Sequence, residues 1–311
     1  AGFAALAERH RRELHVHCYR LLGSFEEAED LVQETLLRAW RAWRGRAARG
    51  DRSTFRAWLY RIATNACLDV LRRRPRRAPR PASRVPWLQP YPDRLLDEVA
   101  AGGAEPGAAV VAKETIELAF LAAVQHLPPR QRAVLLLRDV LGWSAREAAS
   151  LLDASVPAVN SALQRARATL RTHRPAAGPA GAPRAAPGAD EQHLVRRYVE
   201  AVERGDVAGF VALLREDARL TMPEVFAGRE VLAALFRQGF GPAGADARGD
   251  YRCVPTRANR QPAVACYVRR PGDAAYRALT LDVLRIEAGA LAEIAVFGPG
   301  PLSAFGLPPT L

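Results

Sequence analysis

Two proline-dense stretches set the terms on which this chain can fold. Between Pro75 and Pro92 there are six prolines, with Arg76, Arg77, Arg80 and Arg84 among them and no acid before Asp93. From Pro175 to Gly188 proline and glycine alternate with alanine. Proline fixes φ and lacks the backbone N–H, so neither stretch continues a helix or a central strand, and the second reads as a flexible tether. The cuts predict blocks at 1–74, 108–173 and 191–311, joined by an extended Arg/Pro-rich linker at 75–107 and a second linker at 174–190. At 311 residues the chain is too long for one ordinary core, which agrees with several domains.

The blocks differ in charge. Of the net +12, residues 191–311, with 15 Arg and 14 Asp+Glu, supply only +1, and residues 1–190 supply the other +11. The first two blocks therefore have the electrostatic profile of a polyanion binder, and the third does not. No apolar run approaches the roughly 20 residues that cross a bilayer, and AGFAALAERHRREL places charges where a secretory signal would be apolar. A cytoplasmic location without a membrane partner is expected. Cys18, Cys67, Cys253 and Cys266 lie far apart in sequence and read as buried, reduced thiols. His15, His17 and Cys18 crowd one predicted helix too closely for all three to reach one ion. No metal and no other cofactor is expected.

In the first block, Ser24 and Glu27 fit a capping box that opens a helix running to about Trp43. Leu31, Val32, Leu36, Ala39, Trp40 and Trp43 form its predicted buried stripe, leaving Asp30, Gln33, Glu34 and Leu37 on the other side. A second helix is expected from Ser53 to Arg74, with Leu59, Ile62, Ala63, Ala66 and Val70 inward. Its remaining face carries Trp58, Arg61, Asn65, Asp69, Arg72 and Arg73, aromatic and basic side chains suited to stacking on unpaired bases while holding phosphates. Spacing alone leaves open whether Trp58 stacks on bases or belongs to the core.

The second block reads as short helix, tight turn, second helix. Ser144 and Glu147 form another capping box, Asp153 and Ala154 turn the chain, and Ser155 caps a helix whose first turn accommodates Pro157. With Val159, Leu163 and Ala166 inward, Asn160, Ser161, Gln164, Arg165 and Arg167 face outward, the residue types that read base edges and phosphates in a major groove. A three-helix bundle without DNA contact fits the same pattern. In the third block, two helices broken at Gly205-Asp206 precede strand-like runs at 218–222, 263–269, 276–286 and 291–297.

Read together, these segments resemble a known family. HCYRLLGSFEEAEDLVQETLLRAWRAW and FRAWLYRIATNACLDVLRRR resemble region 2 of bacterial sigma factors. LPPRQRAVLLLRDVLGWSAREAASLLDASVPAVNSALQRAR resembles region 4, so the likeness covers about 1–173. VPWLQPYPD in the linker and the C-terminal FGLPPTL resemble the actinobacterial subgroup in which an extracytoplasmic-function sigma factor carries a SnoaL-like domain. One lysine, Lys113, against 44 arginines agrees with such a GC-rich source. The resemblance implies all-α regions 2 and 4 followed by an α+β, ketosteroid-isomerase-like cone built from helices and then a curved antiparallel sheet.

It also implies roles. Asp30, Gln33, Glu34 and Leu37 would bind core RNA polymerase at the β′ clamp helices. Trp58, Arg61, Asn65, Arg72 and Arg73 would melt and read the promoter −10 element. Asn160, Ser161, Gln164, Arg165 and Arg167 would read the −35 element. Leu135, Leu136 and Leu137 lie where the β flap is contacted, or are core. Glu224, Asp282 and Tyr267 are expected to point into the cone, as a general base of the family type or as structural groups. No histidine follows His193, so no catalytic residue is assigned and the domain is expected to regulate in cis, with a small ligand or separate regulator open.

Distance bears on this. Promoter elements two helical turns apart lie roughly 70 Å from each other. The 33 residues of 75–107 reach about 110 Å fully extended but span only about 30 Å as a free coil. Bridging both elements requires the linker to be drawn out along the polymerase. Trp87, Leu88 and Tyr91, apolar in a stretch of arginine and proline, are expected to be buried against the C-terminal domain in the free protein. The alternatives are a stand-alone helix-turn-helix regulator and a SnoaL-type enzyme with an appended DNA-binding region.

Overall fold

The computed structural model describes residues 2–44, 52–73, 88–101, 116–173, 188–222, 224–240 and 249–311. Trp87 and most of both linkers lie outside the described residues. The chain divides into two compact units. One holds the described residues up to Gln89 and from Leu95 to 173; the other holds Pro90–Arg94 and the residues from 188 on.

The first unit is helical. Three long helices, α1 (Phe3–Leu22), α2 (Phe25–Arg44) and α3 (Arg52–Arg73), pack together. Then α4 (Asp93–Ala101), which belongs to this unit from Leu95 on, occupies part of the stretch expected to be extended. The apolar run Leu118–Gln125 forms α5, and α6 (Pro129–Leu135) continues through a π-turn at Leu136–Val140. Short α7 (Ala145–Leu151) and long α8 (Val156–His173) complete the unit. The Ser144–Glu147 capping box is present with both bonds, and Ser155 Oγ accepts from the Ala158 N–H at 3.3 Å. Between them Asp153 takes φ 47°, a left-handed conformation that Asp tolerates better than most residues.

At the other box, Ser24 Oγ accepts from Glu27 N–H at 3.3 Å, while the Gln89 carboxamide accepts from the Phe25 and Glu26 N–H groups at 2.7 and 3.2 Å. A residue 64 positions away in sequence thus caps α2. Two bonds fix Gln89 itself, its N–H to Gly23 C=O and its C=O to the Tyr19 hydroxyl.

Arg132 ties the later helices to the first ones. Its guanidinium is buried and donates to the carbonyls of Leu21, Gln125 and Leu127 and to Gln125 Oε1. Leu21 and Gln125 stand at the C-termini of α1 and α5, where helix carbonyls have no helical partner and the dipole favours a cation.

The second unit begins with α9 (Ala189–Arg204) and α10 (Val207–Val211), broken at Gly205 as expected. The strands are β1 (Leu214–Met222), β2 (Glu224–Ala227), β3 (Asp250–Ala258), β4 (Gln261–Arg269), β5 (Arg277–Glu287) and β6 (Ala290–Phe297), in the order β2-β1-β6-β5-β4-β3. Two expectations are corrected. The sheet is mixed, because β1 and β6 run parallel at its centre. Helices do not all come first: α11 (Arg229–Phe240) follows β2, and the 3₁₀ turn Gly300–Phe305 follows β6. Three rings stack in the core, Phe210 on Phe236 at 4.1 Å and Phe236 on Phe240 at 4.8 Å.

Candidate functional site

On α2 the 100° step per residue sorts the side chains into two arcs. Ala28, Leu31, Val32, Thr35 and Ala39 are buried, whereas Asp30, Gln33, Glu34 and Leu37 are exposed together. Trp40 corrects the sequence expectation. It lies at the edge of the apolar stripe, 42% exposed, and so joins Leu37, at 45%, on the acidic face. Glu34 pairs with Arg38 at 2.6 Å one turn on, and Gln33 donates to Glu29. These are solvent-screened contacts worth a few tenths of a kcal/mol, easily exchanged for a partner's cations.

The candidate −10 residues lie on α3. Arg61, Arg72 and Arg73 are exposed, and Asn65 and Trp58 are half-buried, Trp58 against Phe55 at 5.8 Å. Val70 and Ile62, expected inward, are only partly covered, while Tyr60, Thr64, Cys67 and Leu68 are fully buried because α3 is packed on more than one side. Arg72 pairs with Asp69 at 2.8 Å. Arg61 reaches Asp153 in the turn of the helix-turn-helix at 2.9 Å, and Tyr60 lies 5.5 Å from the Trp143 ring. Within this unit the two candidate DNA-binding elements therefore pack on each other.

On α8, Asn160, Ser161, Gln164 and Arg165 are exposed in one strip over buried Val159, Leu163 and Ala166. Arg167 is exposed too, but its guanidinium is held by Asp139 through two bonds of 2.6 and 2.8 Å, which raises its pKa. Leu135, Leu136 and Leu137 are all buried. His15 and His17 are buried apart from each other, His15 against Phe25 and near Glu29, His17 with Nε2 2.9 Å from Thr64 Oγ1.

The second unit places its polar groups differently from expectation. Glu224 is exposed on the short edge strand β2 and does not enter the interior. Tyr267 is buried but its hydroxyl donates to Pro308 C=O at 3.0 Å. Asp282 alone of the three faces the apolar core, accepting from the Tyr198 hydroxyl at 2.8 Å, and burial raises its pKa.

The same unit holds Pro90–Arg94 at the β3–β4 hairpin. The turn residues Asn259 and Arg260 both have positive φ, 54° and 61°, as a two-residue type I′ hairpin requires. Tyr91 is fully buried; its N–H donates to Asn259 Oδ1 at 2.8 Å and its C=O accepts from Asn259 N–H at 2.9 Å. Pro92 bridges Ala258, and Asp93 accepts from Arg260 N–H at 2.8 Å and pairs with Arg257. Leu88 departs from expectation. It lies in the first unit, with its Cδ1 where a Cβ on Gly23 would meet it at 3.4 Å, because the bonded Gln89 draws this end of the segment to the α1–α2 turn. Gln89 and Asn259 carry no sequence signal, since their partners are remote, and the same holds for the bond from Arg132 to Leu21 C=O.

A helix with an exposed acidic and apolar face, an aromatic-basic helix and a helix-turn-helix thus precede an α+β domain. Residues 6–77 match the family Sigma-70 region 2, residues 117–170 Sigma-70, region 4, and residues 195–294 the SnoaL-like domain. The chain is 42% identical over 330 residues to the ECF RNA polymerase sigma factor SigG of Mycobacterium tuberculosis, covering 99% of this chain and 85% of that protein. It is 32% identical to the ECF RNA polymerase sigma factor SigE of Mycolicibacterium smegmatis over 54% of this chain and 60% of that one. The crystal structure of the M. tuberculosis extracytoplasmic function sigma factor SigJ shares the fold, with a TM-score of 0.63 at 22% identity over 99% of this chain and 100% of that one. The chain belongs to the extracytoplasmic-function RNA polymerase sigma factors.

Proposed function

We propose that this chain binds core RNA polymerase through α2, opens and reads the −10 element with α3 and reads the −35 element with α8, acting in the cytoplasm as an initiation factor. The observation that carries this reading is the exposed arc of Asp30, Gln33, Glu34, Leu37 and Trp40 on a helix whose opposite arc is buried. A stand-alone DNA-binding regulator has no use for that arc. Replacing Asp30 and Glu34 together by alanine should weaken core binding by about tenfold or more while leaving helicity unchanged, measured by fluorescence anisotropy on core polymerase. A folded double variant that binds core at full strength rejects the assignment.

The SnoaL-like domain is read as a regulator in cis rather than an enzyme. Asp282, the polar group facing its core, is engaged by Tyr198. It holds Tyr91 and Asp93, which lie between the region 2 and region 4 matches, in a segment that must be drawn out for both elements to be engaged. Asn259→Gly keeps the positive φ but removes the acceptor of the buried Tyr91 N–H, weakening the hold by about 1–3 kcal/mol. Run-off transcription at limiting sigma factor should then rise. Unchanged or lower transcription by the folded variant sinks the regulatory reading without touching the α2 assignment.

A further inference from the structure

Two cysteines of the second unit face each other across its sheet. Cys253 on β3 and Cys266 on β4 are register partners, both are free thiols, and their Sγ atoms lie 3.5 Å apart. Strand β3 is at the sheet edge, and the Cys253 N–H donates away from β4 to Glu203 Oε1 on α9 at 2.9 Å. The N–H and C=O of one strand residue point to the same side, so this is a non-hydrogen-bonded pair. Pro255, two residues on, agrees, because its missing N–H faces the same outer side and costs no ladder bond. In such pairs the Cα atoms stand about 4.5 Å apart, inside the roughly 4.4–6.8 Å that a disulfide spans.

The surroundings suit chemistry at sulfur. Cys253 is half-buried and Cys266 fully buried. Beyond them, Cys266 Sγ lies 3.4 Å from Asp282 Oδ2, the oxygen that also accepts from Tyr198. The bond with Cys253, then burial and the Asp282 carboxylate, hold the Cys266 thiol protonated at rest, which leaves the outer sulfur to react first.

We propose that Cys253 and Cys266 form a reversible oxidation site whose oxidant is a peroxide. The Cys253 sulfur, its proton lost to solvent, attacks one oxygen of hydrogen peroxide. The O–O bond breaks, Cys253 becomes a sulfenic acid, and the departing hydroxide takes up that proton as water. The Cys266 sulfur then attacks the Cys253 sulfur. An S–S bond forms, the S–O bond breaks, and the Cys266 proton passes by way of Asp282 to the departing hydroxide as a second water. Two thiols lose two electrons and one peroxide becomes two waters; a dithiol reductant reverses the bond by exchange. The link fastens edge strand β3, whose far end holds Tyr91 and Pro92.

Treating the full-length protein with a few equivalents of hydrogen peroxide, then denaturing it, should lower the titratable thiols from four to two. Peptide mapping without reduction should find one link, joining the Cys253 and Cys266 peptides, and dithiothreitol should restore all four thiols. In Cys266→Ser, Cys253 should remain a sulfenic acid that dimedone captures. Four thiols surviving the dose, loss from Cys18 and Cys67 at the same rate, or over-oxidation of Cys253 without a link each overturn the proposal. Mapping of the unsubstituted protein decides the matter even where the serine variant fails to fold.

Discussion

Replacing Arg132 by alanine should destabilise the helical unit by about 3–5 kcal/mol, among the largest effects any single substitution can have here. The guanidinium is buried, and four acceptors converge on it: the carbonyls of Leu21, Gln125 and Leu127 and the Gln125 side chain. Truncation leaves these buried oxygens without their donor, and each unpaired acceptor costs about 1–3 kcal/mol. Arg132→Lys should recover only part of the loss, since one ammonium cannot present the planar fork that serves acceptors on two helix ends. Hydrogen exchange resolved by peptide separates this unit from the other. The C-terminal turn of α1 and the α5 segment should lose protection in Arg132→Ala and regain some in Arg132→Lys. Equal protection in all three proteins would show that the carbonyls find other donors and that Arg132 is not the tie.

That tie bears on function because Leu21 belongs to region 2 and Arg132 to region 4. The described packing brings Arg61 to Asp153 and Tyr60 to Trp143, so a −10 candidate is engaged by the turn before α8. If α3 and α8 read promoter elements about 70 Å apart, as proposed above, they cannot do so in this arrangement. On the proposed function core polymerase would separate them, and the strength of the Arg132 cluster would set part of the cost.

What could be read in the sequence follows the range of the physics involved. Periodicity and capping are local, so α2, α3 and the Ser144 and Ser155 caps were legible within a residue or two. Trp40 escapes the buried stripe because a wide apolar stripe has no sharp edge among hydrophobic positions, and burial of Ala28, Thr35 and Ala39 rotates the covered arc away from it. Strand β3 gives little strand signal because DYRCVPTRA carries a proline and two arginines, which an edge strand tolerates. The β3–β4 turn is Asn259-Arg260 rather than the usual Asn-Gly, so its signal is muted. Helix α11 was within reach, since Leu232, Phe236 and Phe240 recur at helical spacing. Gln89 capping α2 and Asn259 holding Tyr91 join residues 64 and 168 apart, and no local pattern announces them.

The helical unit should also lose stability steeply on mild acidification, well above the range in which its carboxylates titrate. His17 is fully buried, and burial followed by repulsion from Arg20 pushes its pKa down to about 3; burial likewise lowers His15 to about 4. Both folded-state values lie below the ordinary 6.5, so the unfolded chain takes up protons first as pH falls. Stability is therefore complete above about pH 6.5, declines as pH drops below it, and goes on declining until the folded-state values are reached. For His17 the slope is about 1.4 kcal/mol per pH unit, or about 2 kcal/mol by pH 5, with His15 adding in the same direction. Glu13 and Glu29 have lowered pKa values, so their contributions are lost only below about 4.5 and do not blur the window between pH 6.5 and 5. His17→Gln offers Thr64 a neutral partner that does not titrate there. Urea midpoints for the helical unit, followed by peptide-resolved exchange, should fall more slowly with pH in His17→Gln than in the unsubstituted protein, by about one proton's worth of slope. If the two proteins lose stability in parallel from pH 6.5 to 5, His17 is protonated without cost inside the fold, and its burial against Tyr60 and Thr64 is not the source of acid sensitivity.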